Sequence, residues 1–135
     1  MALLAGSGVL LVSGDAPARL TRDDAQKLKS PAANTRKSIA RGRVVFMQNC
    51  TSCHGENGKA EGSLIADATD LTSPQLYKNG TSEGEIFHSI SDGAGDQMPA
   101  FKSQLDSETD IWNLVNFISG LWPQSQRPPV ADDGK

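Results

Sequence analysis

The stretch Cys50-Thr51-Ser52-Cys53-His54 contains both cysteines of this 135-residue chain and one of its two histidines. A secreted domain stabilised by disulfides needs more than one cysteine pair. The C-x-x-C spacing therefore leaves three chemistries: a thiol–disulfide pair, a metal site, or covalent attachment of haem. The histidine directly after Cys53 favours haem, because in C-x-x-C-H the two sulfurs form thioethers and the histidine becomes the proximal iron ligand.

The two rival chemistries lack supporting residues elsewhere in the chain. A zinc site would need two more ligands, and the only other histidine is His88, so carboxylates would have to complete the site. A thioredoxin-like dithiol would lie between a strand and a helix in a βαβ pattern, and the sequence has no such pattern. We therefore predict one haem c, attached through Cys50 and Cys53, with His54 as an iron ligand.

Met98 is the predicted second axial ligand. It lies in a glycine-rich stretch, Asp92–Phe101, and is followed directly by Pro99. Glycine permits unusual backbone angles and Pro99 keeps Met98 extended, so this loop can present a thioether to the iron from the far side. Met47, three residues before the motif, is predicted to be a core residue. His88, on a helical pattern, is the weaker candidate ligand and is predicted to lie on the helix surface or at a pocket edge.

Length and composition point to one soluble globular domain with tails. Hydrophobic residues make up 37% of the chain and charged residues 21%, which excludes wholesale disorder, collagen and a multi-span membrane protein. The formal net charge of −3 is too balanced for a nucleic-acid binder. This charge is uneven, because residues 1–48 carry +5 and residues 49–135 carry −8. The acidic part could steer basic partners or simply keep the protein soluble.

The sequence divides into four segments. Residues 1–18 contain the apolar run Ala2–Val12, which is too short to span a bilayer as a helix. This run resembles the apolar part of an export signal, and a retained anchor is the alternative. The remaining segments are predicted to be a linker or arm over residues 19–34, the folded domain over residues 35–122, and a flexible tail over residues 123–135.

Helical periodicity dominates the folded part, and no alternating strand pattern is present. Gly42, Phe46 and Cys50 are spaced i, i+4, i+8 and therefore share one helix face. Ser82 and Glu85 form a capping-box pattern at the start of another helix. The chain is thus predicted to be all-α, with helices over 36–54, 81–90 and 106–121 and a long irregular loop over 55–74.

These features resemble the class I cytochrome c family over roughly Thr35–Leu121. Gly42-x-x-x-Phe46 before the C-x-x-C-H motif, the later Met98-Pro99 and a last helix bearing aromatic residues occur there in this order. The stretches Asp70-Leu71-Thr72 and Met98–Phe101 further resemble single-haem bacterial members that serve as subunits or domains of respiratory and dehydrogenase chains. The resemblance implies a small cytochrome c fold whose N- and C-terminal helices cross around one covalently bound haem. The cofactor-binding residues that it implies are Cys50, Cys53, His54, Met98, Phe46, Pro99 and Phe101, with His54 and Met98 as the metal ligands.

The resemblance also carries expectations about the crossing and the pocket. It implies that Gly42 and Phe46 pack against Leu114 and Phe117. Family members often have a proline after the haem motif whose carbonyl accepts a hydrogen bond from the proximal histidine, whereas the first proline here is Pro74. A different backbone carbonyl is therefore expected to serve. An apolar pocket is expected from Phe46, Leu64, Ile65, Ile90 and Phe101, and Tyr77 and Lys78 would either approach a haem propionate or be plain loop residues.

The function implied is reversible one-electron transfer, with any catalysis belonging to a partner. The expected partners are redox proteins (a dehydrogenase, an oxidase, or a respiratory or photosynthetic complex) and not nucleic acid, with a membrane complex reached through the N-terminal arm. Covalent haem attachment implies a periplasmic or otherwise exported protein, with membrane association as a further expectation. The competing hypothesis is a haem c protein with a labile sixth ligand that acts as a gas or peroxide sensor or enzyme.

Overall fold

The computed structural model describes residues 20–134, so the signal or anchor segment predicted for residues 1–18 lies outside the described residues. The described residues form five α-helices and two short 3₁₀ turns, and they contain no strand beyond two isolated bridges. None of these helices is long and apolar enough to cross a bilayer. The helices are α1 (Arg22–Lys27), α2 (Arg36–Asn49), α3 (Thr51–His54), α4 (Glu83–Asp92) and α5 (Glu108–Ser119), and the 3₁₀ turns are Pro74–Leu76 and Gln124–Gln126.

Helices α2 and α5 form the largest interface of the fold, and they cross at Gly42. A Cβ atom at this position would overlap the Asn113 carbonyl oxygen and would lie 2.8 Å from the Phe117 Cβ. Phe46, one turn further along α2, is fully buried, and its ring centroid lies 5.1 Å from that of Phe117. Leu114 is buried in the same core. The predicted all-α fold, in which the helix before the C-x-x-C-H motif crosses the last helix of the domain, is therefore confirmed.

Polar side chains also join α2 to α5. Ser38 Oγ donates to Asn113 Oδ1 at 2.7 Å and accepts from Asn116 Nδ2 at 2.8 Å. Arg41 Nε donates to Asp110 Oδ1 at 2.8 Å, and Arg41 Nη2 donates to Asp110 Oδ2 at 2.6 Å. The hydrogen bonds from Arg41 hold the pKa of Asp110 below its usual value, although burial of the carboxylate opposes them. The crossing is thus fixed by steric fit and by satisfied buried polar groups.

The predicted single helix over 36–54 is divided at Cys50, where φ is −117° and ψ is −19°. The hydrogen bonds continue across the break, since Cys50 N donates to the Phe46 carbonyl and His54 N donates to the Cys50 carbonyl. The helix containing the motif is therefore a separate turn, α3. Helix periodicity alone does not reveal this change, because the same residues suit an unbroken helix.

The described part of the predicted arm, residues 20–34, contains α1, which lies against α4. A capping box between Thr21 and Asp24 begins α1, and Ala25 on this helix is buried. Helices α1 and α4 approach closely at Gly84, where a Cβ would overlap the Ala25 carbonyl oxygen. The side chain of Glu85, which also closes the predicted capping box of α4, accepts a hydrogen bond from Gln26 at 3.0 Å.

The C-terminal segment, predicted to be a flexible tail, makes hydrogen bonds to the start of α2. Ala131 N donates to the Asn34 carbonyl at 2.8 Å, and Asn34 Nδ2 donates to the Pro129 carbonyl at 3.0 Å. The Asp133 carboxylate accepts from Lys37 N at 2.9 Å, close to the N-terminus of α2, where the helix dipole favours a negative charge. The domain boundaries predicted from the sequence stay predictions.

Candidate functional site

A cavity of about 380 Å³ lies beside the α2–α5 crossing, within the size range usual for cofactor sites. Its walls come from α2, α3, the 65–80 loop, α4, the 94–101 loop and α5. All seven residues that the sequence predicts to bind the cofactor line this one cavity: Phe46, Cys50, Cys53, His54, Met98, Pro99 and Phe101. Further apolar side chains complete the walls: Ile65, Leu71, Ile86, Ile90, Leu114 and Ile118.

The His54 imidazole is oriented by a backbone carbonyl. Its Nδ1 lies 3.0 Å from the Thr69 carbonyl oxygen. A carbonyl can only accept, so the hydrogen bond requires the proton on Nδ1 and leaves the Nε2 lone pair free to bind a metal. Thr69 therefore fills the role that family members often give to a proline carbonyl in the loop after the motif. The sequence contains no signal for Thr69, because the choice of carbonyl depends on how the 55–74 loop closes.

Asp70 holds the turn that follows Thr69. Its Oδ1 accepts from Thr72 N at 2.9 Å and from Thr72 Oγ1 at 2.6 Å, and its Oδ2 accepts from Ser73 Oγ at 3.3 Å. These bonds, led by that from the Thr72 side chain, lower the pKa of Asp70. Leu71 N also donates to the Gly58 carbonyl at 2.7 Å. These hydrogen bonds stabilise the 55–74 loop directly after Thr69, whose carbonyl faces His54.

The two cysteines lie partly buried at the cavity wall. Burial, and secondarily the neighbouring Cys53, raise the pKa of the Cys50 thiol to about 12. A redox-active dithiol needs a lowered thiol pKa, since the thiolate is the reacting species. This environment therefore does not suit the thiol–disulfide alternative, whereas two thiols beside one cavity suit thioether formation.

Met98 lines the cavity from a short closed loop. Met98 N and the Ala94 carbonyl, and Ala94 N and the Met98 carbonyl, form two hydrogen bonds of 3.3 and 3.1 Å. Gly93 and Gly95 have φ angles of +83° and +58°, which are the unusual glycine conformations expected for this loop. At Gly93 a Cβ would lie 2.7 Å from the Met98 carbonyl oxygen, so this position needs glycine.

Three residues that the sequence analysis considered do not line the cavity. Leu64, expected in the pocket, is 80% exposed and does not line the cavity. The expectation is wrong for Leu64 alone, since the four other expected pocket residues line the cavity: Phe46, Ile65, Ile90 and Phe101. In this irregular loop the backbone directs Ile65 inward and leaves Leu64 exposed. His88 lies outside the cavity, with its Nδ1 3.0 Å from Asp92 Oδ2. Met47 packs against the core.

Tyr77 and Lys78 both line the cavity. The Tyr77 hydroxyl donates to the Leu71 carbonyl at 2.7 Å and accepts from Trp122 Nε1 at 3.1 Å. Burial raises the pKa of Tyr77 to about 12, so the phenol is neutral near pH 7. Because the donor of this hydroxyl is already used, Tyr77 acts as part of the wall.

The residues present fit a covalently held haem. Two thiols, an imidazole with a free Nε2 and a thioether line one mainly apolar cavity. A zinc site would gather at least three ligands, and residues 20–134 contain no group of three or more His, Cys, Asp or Glu side chains that could share a metal ion. The helical fold with this donor set defines a class I c-type cytochrome.

Comparison with known proteins places the chain within one family of this class. Residues 37–118 match the family model described as "Cytochrome C oxidase, cbb3-type, subunit III". This match covers more than half of the chain, which therefore belongs to that family.

Curated relatives carry the same family name. The chain is 36% identical over 89 residues to the cbb3-type cytochrome c oxidase subunit FixP of Bradyrhizobium diazoefficiens, covering 64% of this chain and 29% of the relative. It is 30% identical over 113 residues to subunit CcoP of an Azospirillum strain, covering 76% of this chain and 37% of the relative. The chain thus spans roughly a third of the length of these relatives.

Solved structures support the fold alone. Cytochrome CL from the marine methylotrophic bacterium Methylophaga aminisulfidivorans aligns with a TM-score of 0.57 at 21% identity, over 66% of this chain and 57% of that one. A chain of the reducing HAO-like protein complex of Kuenenia stuttgartiensis aligns with a TM-score of 0.61 at 23% identity, over 70% and 48%. The predicted cytochrome c fold is confirmed by these alignments, and the family assignment implies haem c as the cofactor.

Proposed function

We propose that this chain is a one-electron relay domain that holds a single haem c through Cys50 and Cys53, with His54 and Met98 as the axial ligands. The observation that carries the proposal is that these four residues line one cavity while Thr69 occupies the Nδ1 side of His54. When bound, haem c supplies a reversible Fe(III)/Fe(II) couple. With His54 and Met98 both holding the iron, no substrate would need to reach it.

Each group of residues has a definite task in this proposal. The Thr69 carbonyl fixes the His54 tautomer and makes Nε2 a stronger electron-pair donor to a metal. The Met98 thioether favours the reduced state relative to a second histidine. The apolar walls, including Phe46, Ile90 and Phe101, disfavour extra positive charge in the cavity and therefore also favour the reduced state. If His54 and Met98 held the iron in both oxidation states, little of the chain would have to rearrange on electron transfer.

The partner is proposed from the family. The relatives are named as subunits of cbb3-type cytochrome c oxidases, so we propose that this chain exchanges electrons within or next to a respiratory complex of this kind. Catalysis would belong to that complex. The acidic balance of residues 49–135, at −8, favours basic partner surfaces. Haem c attachment further favours an exported, periplasmic location, and we propose association with a membrane complex through the N-terminal segment.

A redox titration of the purified haem-loaded chain, followed by visible spectroscopy, tests this function. We expect a single one-electron transition, because one C-x-x-C-H motif holds one haem. The reduced protein should not take up carbon monoxide while Met98 occupies the sixth position. Uptake of carbon monoxide without protein unfolding would contradict the relay and favour the gas-sensor or peroxide alternative, and two separate transitions would contradict the single haem.

A further inference from the structure

We propose that Asp92, together with Lys102, is a positioning group for Met98. We name these two residues the Asp92 brace. The brace ties the two ends of the loop that carries Met98, and so holds the thioether in the cavity. This inference rests on the proposed His54/Met98 ligation and adds residues that lie outside the cavity itself.

The brace joins the end of α4 to the chain beyond the loop. Asp92 is the last residue of α4, and its side chain is 13% exposed. Its Oδ1 accepts from Lys102 Nζ at 3.0 Å, and its Oδ2 lies 3.0 Å from His88 Nδ1, one helical turn earlier. The His88 contact is close in distance but is not a hydrogen bond, because the buried His88 Nδ1 has no hydrogen-bond partner among residues 20–134. The Lys102 hydrogen bond is therefore the side-chain contact that joins the two ends of the loop.

Backbone hydrogen bonds run alongside the brace. Phe101 N donates to the Ile90 carbonyl at 2.9 Å, and Lys102 N donates to the Ser91 carbonyl at 3.2 Å. Residues 93–100 therefore form a loop whose base is closed by two backbone bonds and by the Asp92 side chain. Only Pro99, Ala100 and Phe101 separate Met98 from Lys102.

The rest of the loop offers little to hold Met98. Gly95, Asp96 and Gln97 at its tip are exposed, and a Cβ at Gly95 would meet nothing within 4 Å. Glycine-rich segments lose much conformational entropy when they are ordered. Apart from the Ala94–Met98 bridge, the position of Met98 therefore depends on the base of the loop. Loosening the base should raise the frequency with which Met98 leaves the cavity.

The brace should act locally and contribute little to global stability. Lys102 is 57% exposed, and ion pairs with an exposed partner contribute little to the free energy of unfolding. A test must therefore report on Met98 itself. Exogenous imidazole is suitable, because it can bind the oxidised protein only when Met98 has left its position.

We would titrate imidazole into the oxidised, haem-loaded protein and its Asp92→Ala variant, and follow loss of the sulfur–iron charge-transfer band. We expect Asp92→Ala to bind imidazole about threefold to fivefold more tightly than the wild type, the upper range for loss of an ion pair with an exposed partner. Lys102→Met should shift the affinity in the same direction by a smaller factor. It also keeps the proposal testable if Asp92→Ala does not fold, because Lys102 lies mostly at the surface.

Asp110→Asn is the control for global stability. It weakens the Arg41–Asp110 pair between α2 and α5, so it should lower the urea midpoint without changing imidazole affinity. Equal imidazole affinity, within about twofold, in the wild type and both brace variants would overturn the brace while leaving the proposed ligation intact. A wild-type protein without the charge-transfer band would instead overturn the ligation, and the brace with it.

Discussion

Replacing Met98 with alanine is expected to abolish the sulfur–iron charge-transfer band of the oxidised protein and to lower its reduction potential by on the order of 100 mV. The thioether favours the reduced state, so its removal makes reduction less favourable. Both thioether bonds at Cys50 and Cys53 should remain, because Met98 lies on the 94–101 loop and not on the attachment segment. Spectroelectrochemistry of the purified variant measures the band and the potential together.

Met47→Ala is the matched control for this change. Met47 packs against the same core from α2, three residues before Cys50. Its truncation should lower stability while leaving the band and the potential close to those of the wild type. If Met98→Ala keeps the band, or if both variants lower the potential equally, Met98 is not the sixth ligand.

The second large effect is expected from Gly42→Ala. The added methyl group would overlap the Asn113 carbonyl oxygen and lie 2.8 Å from the Phe117 Cβ, and backbone cannot rotate away as a side chain can. Helix propensity alone predicts a gain of about 1 kcal/mol for this change. We expect instead a loss of about 3 kcal/mol or more in the free energy of unfolding, since overpacking here forces two helices apart. Urea denaturation of the haem-loaded protein shows whether the free energy of unfolding rises or falls.

Val44→Ile provides a control on the same helix. Val44 is 47% exposed, so one added carbon there should change the free energy of unfolding by less than about 0.5 kcal/mol. Equal or greater stability of Gly42→Ala would contradict the close approach of α2 and α5. Loss of stability only in Gly42→Ala would support the close approach directly.

The parts of the fold that could be predicted from sequence are governed by local chemistry and periodicity. The C-x-x-C-H motif carries its attachment chemistry within five residues. Gly42 and Phe46 share a face with Cys50 because of helix geometry, whereas the crossing of this helix with the last one is implied by the resemblance to class I cytochromes c. The capping box at Ser82 is equally local, since its two hydrogen bonds connect residues three apart.

The parts that could not be predicted depend on how distant backbone segments meet. The choice of the Thr69 carbonyl for His54 depends on closure of an irregular loop, in part through the Leu71–Gly58 hydrogen bond. In the same loop no period indicates that Ile65 lines the cavity while Leu64 faces solvent. The hydrogen bond from Ala131 to Asn34 joins residues almost a hundred positions apart. Neither of the two segments contains a sequence pattern that indicates this pairing.

The visible spectrum of the purified oxidised protein, combined with a pyridine haemochrome assay, shows whether this chain holds one haem c between His54 and Met98. We expect a c-type haemochrome at one haem per chain, together with the ferric sulfur–iron charge-transfer band that His54/Met98 ligation requires. A haemochrome without that band would contradict Met98 as the ligand and transfer the sixth position to another group. A protein expressed with the haem c attachment machinery that carries no covalent haem would contradict the claim outright.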